Sequence, residues 1–199
     1  MTTFDLSITW RELEKRLERT TNPRQRKMLQ TVIDHGKAEA AGSVDGLMAT
    51  LCADPQYHFW GGGRDWGPKG QAAVRGYYTS FVAGGEGFFE SHKSRIVVDD
   101  DTVVTETELR QLLPGTVAAK RGYAIPDPAG HYLVFARTVI LWPFNEAGEL
   151  IGEDSYGSSD TSVFERVPDE DLPPEYAAML RDIGLAGAGP GAIDPSLHS

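Results

Sequence analysis

The groups in this sequence best suited to acid–base chemistry are histidines, and one of them lies in a predicted strand over residues 88–98. Alternation along that strand puts Lys93 and Arg95 on one face, which we expect to meet water. His92 then faces the interior, where an imidazole whose pKa lies near neutrality can move a proton between carbon and oxygen. The alternative is a histidine satisfied by Glu90 or by a backbone carbonyl.

Two more histidines belong to other predicted elements. His35 follows Asp34 at the edge of the apolar stripe of a helix, so either side chain can reach an interior pocket. The alternative for His35 is a place near a helix C-terminus, stabilised by the helix dipole. His58 and Trp60 share one face of a short strand that is aromatic on both faces, so alternation does not decide which face is inside. Because these histidines lie on separate elements without ligand spacing, we expect no metal site and no cofactor.

Composition narrows the class of protein. The chain has 199 residues, of which 40% are hydrophobic and 24% charged, and its formal net charge is -10. That charge repels nucleic acid and anionic lipid, and no apolar run approaches the roughly 20 residues of a membrane helix. The N-terminus lacks a secretory pattern and Cys52 is the only cysteine. We therefore expect a cytoplasmic protein with no nucleic-acid or membrane partner.

Hydrophobic periodicity predicts helices first and then a run of strands. Helices are predicted over 8–20, 23–42, 43–51, 70–83 and 174–183, and strands over 56–60, 88–98, 102–113, 132–144, 150–156 and 161–167. Helices segregated to one side of an antiparallel sheet define an α+β domain, and a curved sheet closed by helices leaves a conical pocket. The segment 114–130 is either a lid or a flexible connection, and residues 184–199 are expected to be disordered or bound to another chain.

Three motifs follow one another along the chain, namely Ala41–Ala49 followed by Ala53-Asp54, Gly70–Tyr78, and Phe144–Gly152 followed by Tyr156. In this order they resemble motifs of the NTF2-like superfamily and its SnoaL-like domains. The resemblance implies a cone in which a curved antiparallel sheet is closed by N-terminal helices. It predicts a SnoaL-like domain at 28–167, an N-terminal helical extension at 1–27, and a C-terminal helix and flexible tail at 168–199.

Each activity known in that superfamily implies particular residues at the matching positions of this sequence. At the carboxylate positions of the ketosteroid isomerases this chain has Trp60 and Ile140, and the paired carboxylates of the epoxide hydrolases are missing as well. The strand histidine of the dehydratases matches His92. By the same resemblance, His35 aligns with a hydrogen-bonding tyrosine, Tyr78 with a tyrosine that supports the network in the cone, and Glu153 faces inward.

These observations predict a set of site residues. His92 is expected to transfer the proton, His35 or His58 to polarise the substrate oxygen, and Glu153 to orient an imidazole. The expected substrate-binding residues are Asp34, His58, Trp60, Tyr78 and Trp142.

Three functions remain open at this point. The first is a cofactor-independent lyase (dehydratase), isomerase or cyclase acting on a small, largely apolar, oxygenated or polycyclic substrate. The second is a non-catalytic module that binds a hydrophobic small molecule, and the third is a structural dimerisation domain. Polar groups around an open cavity favour the enzyme, an apolar cavity favours the binder, and a cavity filled by Trp60, Phe88 and Trp142 favours the third.

We also expect a homodimer through the outer face of the sheet. That face carries a stripe of aromatic and β-branched or aliphatic residues in the predicted strand 132–144, namely Leu133, Phe135, Val139 and Leu141. Arg137 interrupts the stripe and needs an acidic partner.

Overall fold

Six helices and seven strands make up the part of the chain that the computed structural model describes, residues 3–185. The helices are α1 (Ile8–Glu18), α2 (Pro23–Ala40), α3 (Val44–Ala49), α4 (Gly70–Ala83), α5 (Gly115–Lys120) and α6 (Pro174–Asp182). The strands are β1 (His58–Gly61), β2 (Arg64–Asp65), β3 (Phe89–Val98), β4 (Thr102–Pro114), β5 (His131–Pro143), β6 (Asp154–Ser158) and β7 (Phe164–Val167). Most of the expected tail, 186–199, lies outside the described residues. No helix within residues 3–185 is both long and apolar enough to span a bilayer.

The strands form one curved sheet in the order β2-β1-β6-β5-β4-β3, with β7 paired to β5. All pairs are antiparallel except β1 with β6. The longest pair, β4 with β5, runs from Thr102↔Pro143 to Pro114↔His131. The predicted α+β class, a curved sheet closed by helices, is confirmed.

Helix α2 closes the inner face of this sheet. Its start follows from local chemistry, because the Asn22 side chain accepts hydrogen bonds from the first free amides of the helix and Pro23 is preorganised for its first turn. Its buried stripe packs against Trp142, Phe144 and Leu150 and consists of Met28, Leu29, Val32 and Ile33. Leu13 of α1 belongs to the same core. The domain boundary predicted between residues 27 and 28 thus falls inside α2.

A β-bulge in β3 controls which residues face the interior. Lys93 pairs with Thr107 and Arg95 pairs with Glu106, so Ser94 is an extra residue without a partner in β4. An extra residue in one strand shifts the alternation of the side chains that follow it. The inner face therefore holds Phe89, Ser91 and Lys93 before the bulge, and Ile96 and Val98 after it.

The outer face of the sheet is partly covered by the chain itself. Leu133 and Phe135, expected at a dimer interface, instead pack against Tyr176 and Leu180 of α6. The acidic partners expected for Arg137 also come from the same chain. Its guanidinium lies 3.0 Å from Glu106 Oε1 and 3.6 Å from Glu108 Oε1. Beyond Arg137 the expected stripe has no such cover from α6 and is partly exposed at Val139 and Leu141.

The segment 114–130, expected to be a lid or a flexible connection, is a folded cap. The Gly115 amide donates to the Gly130 carbonyl at 2.7 Å, which closes the ends of the segment. Val117, Ala118 and Tyr123 pack against Leu113 and Val134 of the sheet.

Candidate active site

A cavity of about 190 Å³ lies between the inner face of the sheet and helices α1, α2 and α4. Much of its wall is apolar and is formed by Leu13, Val32, Phe81, Phe89, Ile140 and Trp142. Four charged side chains also line it, namely Glu39, Lys93, Arg121 and Glu153. The cavity is therefore neither filled by side chains nor wholly apolar, which is the arrangement that favours an enzyme among the three functions considered.

Two carboxylates at this cavity meet one imidazole that is buried behind its wall. One ligand-type atom from each of His35, Glu39 and Glu153 lies within 4.8 Å of the others. His35 and Glu39 are four residues apart on α2, so they project from the same side of the helix. Glu153 approaches from the residue before β6, and its Oε1 is 3.3 Å from His35 Nε2. The cluster thus joins a helix to the opposite strand.

The Nδ1 atom of His35 is held by Thr50, which has consequences for the protonation of the ring. Thr50 Oγ1 donates its hydrogen to the Leu47 carbonyl at 2.6 Å. The 2.7 Å contact between His35 Nδ1 and Thr50 Oγ1 must therefore be donated by His35. Nδ1 therefore carries a proton, and Nε2 is the ring atom that faces the Tyr78 hydroxyl.

Tyr78 connects that nitrogen to a carboxylate. Its hydroxyl lies 2.8 Å from His35 Nε2 and 3.0 Å from Glu153 Oε1, and the Tyr57 hydroxyl lies 2.8 Å from it. Tyr78 therefore links the His35 ring to the Glu153 carboxylate in one buried chain of hydrogen bonds, and the members of such a chain polarise one another.

Glu39 differs from an ordinary surface glutamate. It is half-buried in the last turn of α2 and its side chain lines the cavity. Burial raises the pKa of Glu39 to about 7; the Glu153 charge adds to this, whereas His35 and Lys93 oppose it. A carboxyl group with a pKa near the working pH serves as both acid and base.

Lys93 brings an amine to the same cavity. Its Nζ donates to Ser91 Oγ at 2.8 Å and to the Ser91 carbonyl at 3.2 Å. Burial lowers the pKa of Lys93 to about 8, although the negative charges of Glu39 and Glu153 act in the opposite direction. The site thus holds a carboxyl group and an amine that both change charge near neutral pH.

Beside Lys93 the cavity floor has an unsatisfied hydroxyl. Lys93 pairs with Thr107 across β3 and β4, and Thr107 pairs with Thr138 across β4 and β5, so the three side chains form a row on the inner face. Thr107 is 2% exposed, and its Oγ1 has no hydrogen-bond partner among the described residues. A buried polar atom without a partner is costly, and a bound polar ligand would satisfy it.

Arg121, which follows α5, closes one end of the cavity. Its guanidinium donates to Gln111 Oε1 at 2.7 Å and forms an ion pair with Glu86. The Gln111 amide in turn donates to the Glu86 carbonyl at 2.6 Å. This end of the cavity is therefore held by a charged network rather than by a loose loop.

The prediction that His92 faces the cavity is wrong. His92 is exposed and lies on the outer face of β3, while its neighbours Ser91 and Lys93 line the cavity. The prediction counted His92 with Ile96 and Val98 by unbroken alternation, but the bulge at Ser94 reverses the faces between them. Its side chain therefore cannot be the proton-transfer group.

Three expected binding residues also lie outside the cavity. Asp34 is exposed on α2 and accepts a hydrogen bond from Gln30 at 2.8 Å. His58 and Trp60 lie on the outer face of β1, because it is Tyr57 and Phe59 that pack into the core. His58 Nδ1 contacts Asp65 Oδ2 at 2.7 Å.

The structure does bring together the other expected residues: His35, Tyr78, Trp142 and Glu153. Trp142 lines the cavity, donates from Nε1 to Thr105 Oγ1 at 3.1 Å, and packs its ring 5.6 Å from that of His35. His35 and Tyr78 are fully buried behind the cavity wall, where they contact Glu153.

Sequence reasoning missed Glu39 and Lys93. The spacing of Glu39 could have placed it at the cavity, because it stands four residues after His35 and seven after Val32, which is one face of a helix. No pattern in the sequence could have placed Lys93 there, because its inward orientation contradicts the usual preference of a lysine for water.

Comparison with known proteins identifies the fold of this chain. No protein family model and no curated protein matches the sequence. Among solved structures, a protein described as a SnoaL-like polyketide cyclase from Shewanella denitrificans OS-217 is 13% identical, with a TM-score of 0.54 over 66% of this chain and 90% of the other. An NTF2-like protein from Anabaena variabilis ATCC 29413 is 14% identical, with a TM-score of 0.52 over 71% and 96%. Rv0760c from Mycobacterium tuberculosis is 15% identical, with a TM-score of 0.50 over 75% and 100%.

These likenesses show the fold. The chain adopts the NTF2-like fold that SnoaL-like structures share. The fold inferred from the three sequence motifs is thereby confirmed. One fold of this kind hosts many chemistries, so activity must be argued from the cavity.

Proposed function

We propose that this protein is an enzyme that uses its own side chains to move a proton to or from carbon in a small oxygenated substrate, as isomerases, dehydratases and cyclases do. The observation that carries the proposal is the cluster of Glu39, Glu153 and, behind them, His35 at one partly apolar cavity. Ionisable groups gathered in a cavity lined by apolar residues are typical of catalytic sites.

The roles of the groups follow from their positions. Glu39 borders the cavity directly and is half protonated near pH 7, so it takes and returns the proton. Lys93 and the free hydroxyl of Thr107 bind the substrate oxygen, where negative charge develops during the reaction. Behind Glu39, the contacts of Glu153 with His35 and with the Tyr78 hydroxyl hold the Glu153 carboxylate in place.

The volume of the cavity limits the substrate. An apolar cavity of about 150 Å³ accommodates benzene, whereas drug-sized ligands occupy about 300–1,000 Å³. At about 190 Å³, this cavity fits a single ring with a few substituents or a short chain. We therefore narrow the expected substrates to small carbonyl or hydroxyl compounds and drop the polycyclic ones.

The first prediction tests proton transfer with small enolisable ketones, such as cyclohexanone, in deuterated water. We expect the protein to catalyse exchange of the hydrogens next to the carbonyl group, followed by NMR. Replacing Glu39 with glutamine removes the proton acceptor but keeps the shape of the side chain, so exchange should fall by about 10²- to 10⁴-fold.

The matched control is Glu14→Gln, which changes a surface glutamate paired with Lys37 and should leave the rate unchanged. If a series of small ketones and aldehydes shows no exchange above the buffer rate, the proposal is wrong. Equal rates for the wild type and Glu39→Gln would exclude Glu39 as the transferring group.

We also propose that the protein forms a homodimer through the part of the outer sheet face that α6 leaves open. Large apolar side chains there are exposed, including Trp60 at 40% and both Tyr156 and Val97 at 48%, next to Val139 and Leu141. Grouped apolar side chains on one face of a sheet indicate a protein-binding surface.

Light scattering provides the second prediction, a mass twice that of the chain. Leu141→Glu should convert the dimer to monomer, because it buries an unpaired charge at the interface. Val163→Glu, at a residue 50% exposed and outside this face, is the control that should remain dimeric. A monomeric wild-type protein at working concentrations would refute the dimer.

A further inference from the structure

We propose that Lys93 forms an imine with the carbonyl group of an aldehyde or ketone bound in the cavity. This inference rests on the proposed function of the same cavity and deepens it, because it names carbonyl compounds as the substrate class and a covalent intermediate as the route.

The Lys93 amine is placed to react with a molecule bound in the cavity. Lys93 Nζ lies in the cavity wall and, in the described part of the chain, is held by the hydroxyl and carbonyl oxygens of Ser91 alone. Within residues 3–185 it forms no ion pair, although Glu39 and Glu153 line the same cavity. An amine anchored by neutral oxygens keeps its lone pair available once it loses a proton. A lysine that serves only to neutralise a carboxylate would be expected in direct contact with it.

The surroundings of the amine favour its neutral form. Burial lowers the pKa of Lys93 to about 8, against 10.5 for a free side chain. The groups that face it across the cavity are Glu39 from α2, Glu153 from the residue before β6, and Arg121 after α5. Only a neutral amine attacks a carbonyl carbon, and lysines in apolar pockets are activated in this way.

Thr107 is placed to bind the oxygen of the same carbonyl group. Its unpartnered hydroxyl belongs to the residue directly opposite Lys93 in the β3–β4 pair. The Cβ atoms of such cross-strand neighbours are about 4.5–5.5 Å apart. A carbonyl compound whose oxygen binds Thr107 therefore lies beside the Lys93 side chain, whose flexible four-carbon stem lets Nζ turn from Ser91 to the carbonyl carbon. The orphaned hydroxyl gains the partner that it lacks in the protein alone.

Each step balances with the groups present. The Nζ lone pair attacks the carbonyl carbon, and a C–N bond forms while the carbonyl oxygen gains a proton and the nitrogen loses one, both through Glu39. The protonated Glu39 then gives its proton to the resulting hydroxyl, which leaves as water and yields a protonated imine. The Glu39 carboxylate next removes a proton from the adjacent carbon, which forms an enamine. Hydrolysis by the reverse steps releases the product and the free lysine.

The experiment uses pentane-2,4-dione, a small diketone that fits the cavity and needs no reductant. Its condensation with a lysine amine releases one water and gives a conjugated enaminone that absorbs in the near ultraviolet. We expect one enaminone per chain, with the mass increase mapped to the peptide containing Lys93. The labelling rate should rise with a midpoint near pH 8 rather than near the 10.4 of an exposed lysine.

Two substitutions identify the residue. Lys93→Met should abolish the enaminone band, and Lys93→Arg, which keeps the charge, should abolish it as well. Lys120→Arg changes an exposed lysine and should leave both the band and its rate unchanged. Circular dichroism shows which of the two Lys93 variants folds, and either of them is sufficient.

The outcomes separate this inference from the proposed function. Labelling spread over surface lysines, or labelling that persists in a folded Lys93 variant, overturns the imine. Ketone exchange that depends on Glu39 but survives in Lys93→Arg also overturns the imine, and leaves the proposed function standing. Selective labelling of Lys93 together with exchange lost in both Glu39→Gln and Lys93→Arg supports both.

Discussion

Glu39→Gln is expected to stabilise the protein by about 3 kcal/mol at pH 8 while it removes activity. The pKa of Glu39 is raised from 4.5 to about 7 in the folded protein, so the folded state retains a proton that the unfolded chain loses. The free energy of unfolding therefore falls as the pH rises from 4.5 to 7, by about 1.4 kcal/mol per pH unit. Above pH 7 this loss of stability is complete. Glutamine imitates the protonated acid and avoids that penalty.

The measurement is urea unfolding of both proteins from pH 4 to 8.5, followed by tryptophan fluorescence. Near pH 4 Glu39 is protonated in both states, so the two proteins should differ by less than about 0.5 kcal/mol. Glu14→Gln at the surface should match the wild type across the whole range. A difference between Glu39→Gln and the wild type that does not depend on pH would contradict the raised pKa. Gains in stability on removal of a functional charge are common at active sites.

The second large effect is expected from His35→Ala, which should destabilise the protein by about 3 kcal/mol or more. The ring is fully buried and contacts Thr50, Tyr78 and Glu153. Its removal leaves a cavity beside Trp142 and deprives buried hydroxyl and carboxylate oxygens of a partner. For a chain of this size, such a loss lowers Tm by roughly 6–12 °C.

His92→Ala is the matched control, because His92 is an exposed histidine on β3. We expect it to change the free energy of unfolding by less than about 0.5 kcal/mol and to leave ketone exchange intact. A loss of exchange in His92→Ala would restore the role that the sequence suggested for this residue. A loss of less than 1 kcal/mol in His35→Ala would show that the buried network contributes little to the fold.

Local interactions made most of the elements predictable from the sequence. The start of α2 at Asn22-Pro23 and its apolar stripe depend only on neighbouring residues, and so do the long alternating strands β4 and β5. Three short motifs indicated the NTF2-like fold, and His35, Tyr78 and Glu153 were recognised through that resemblance. The short helix α5 was not predicted, because its stabilising contacts with Leu113 and Val134 come from the sheet rather than from its own six residues.

By itself, then, the sequence of this protein determined the order of its helices and strands and the group of folds to which it belongs. Which side chains meet in the cavity was decided by tertiary structure. Whether His92 or Lys93 faces inward depends on the bulge at Ser94, and that bulge exists only in the pairing of β3 with β4. Glu39 becomes an unusual acid only because the tertiary structure shields it from water and brings the Glu153 charge beside it, both of which raise its pKa. Pairing between distant segments and loss of solvent are properties of the folded chain, and no local pattern encodes them.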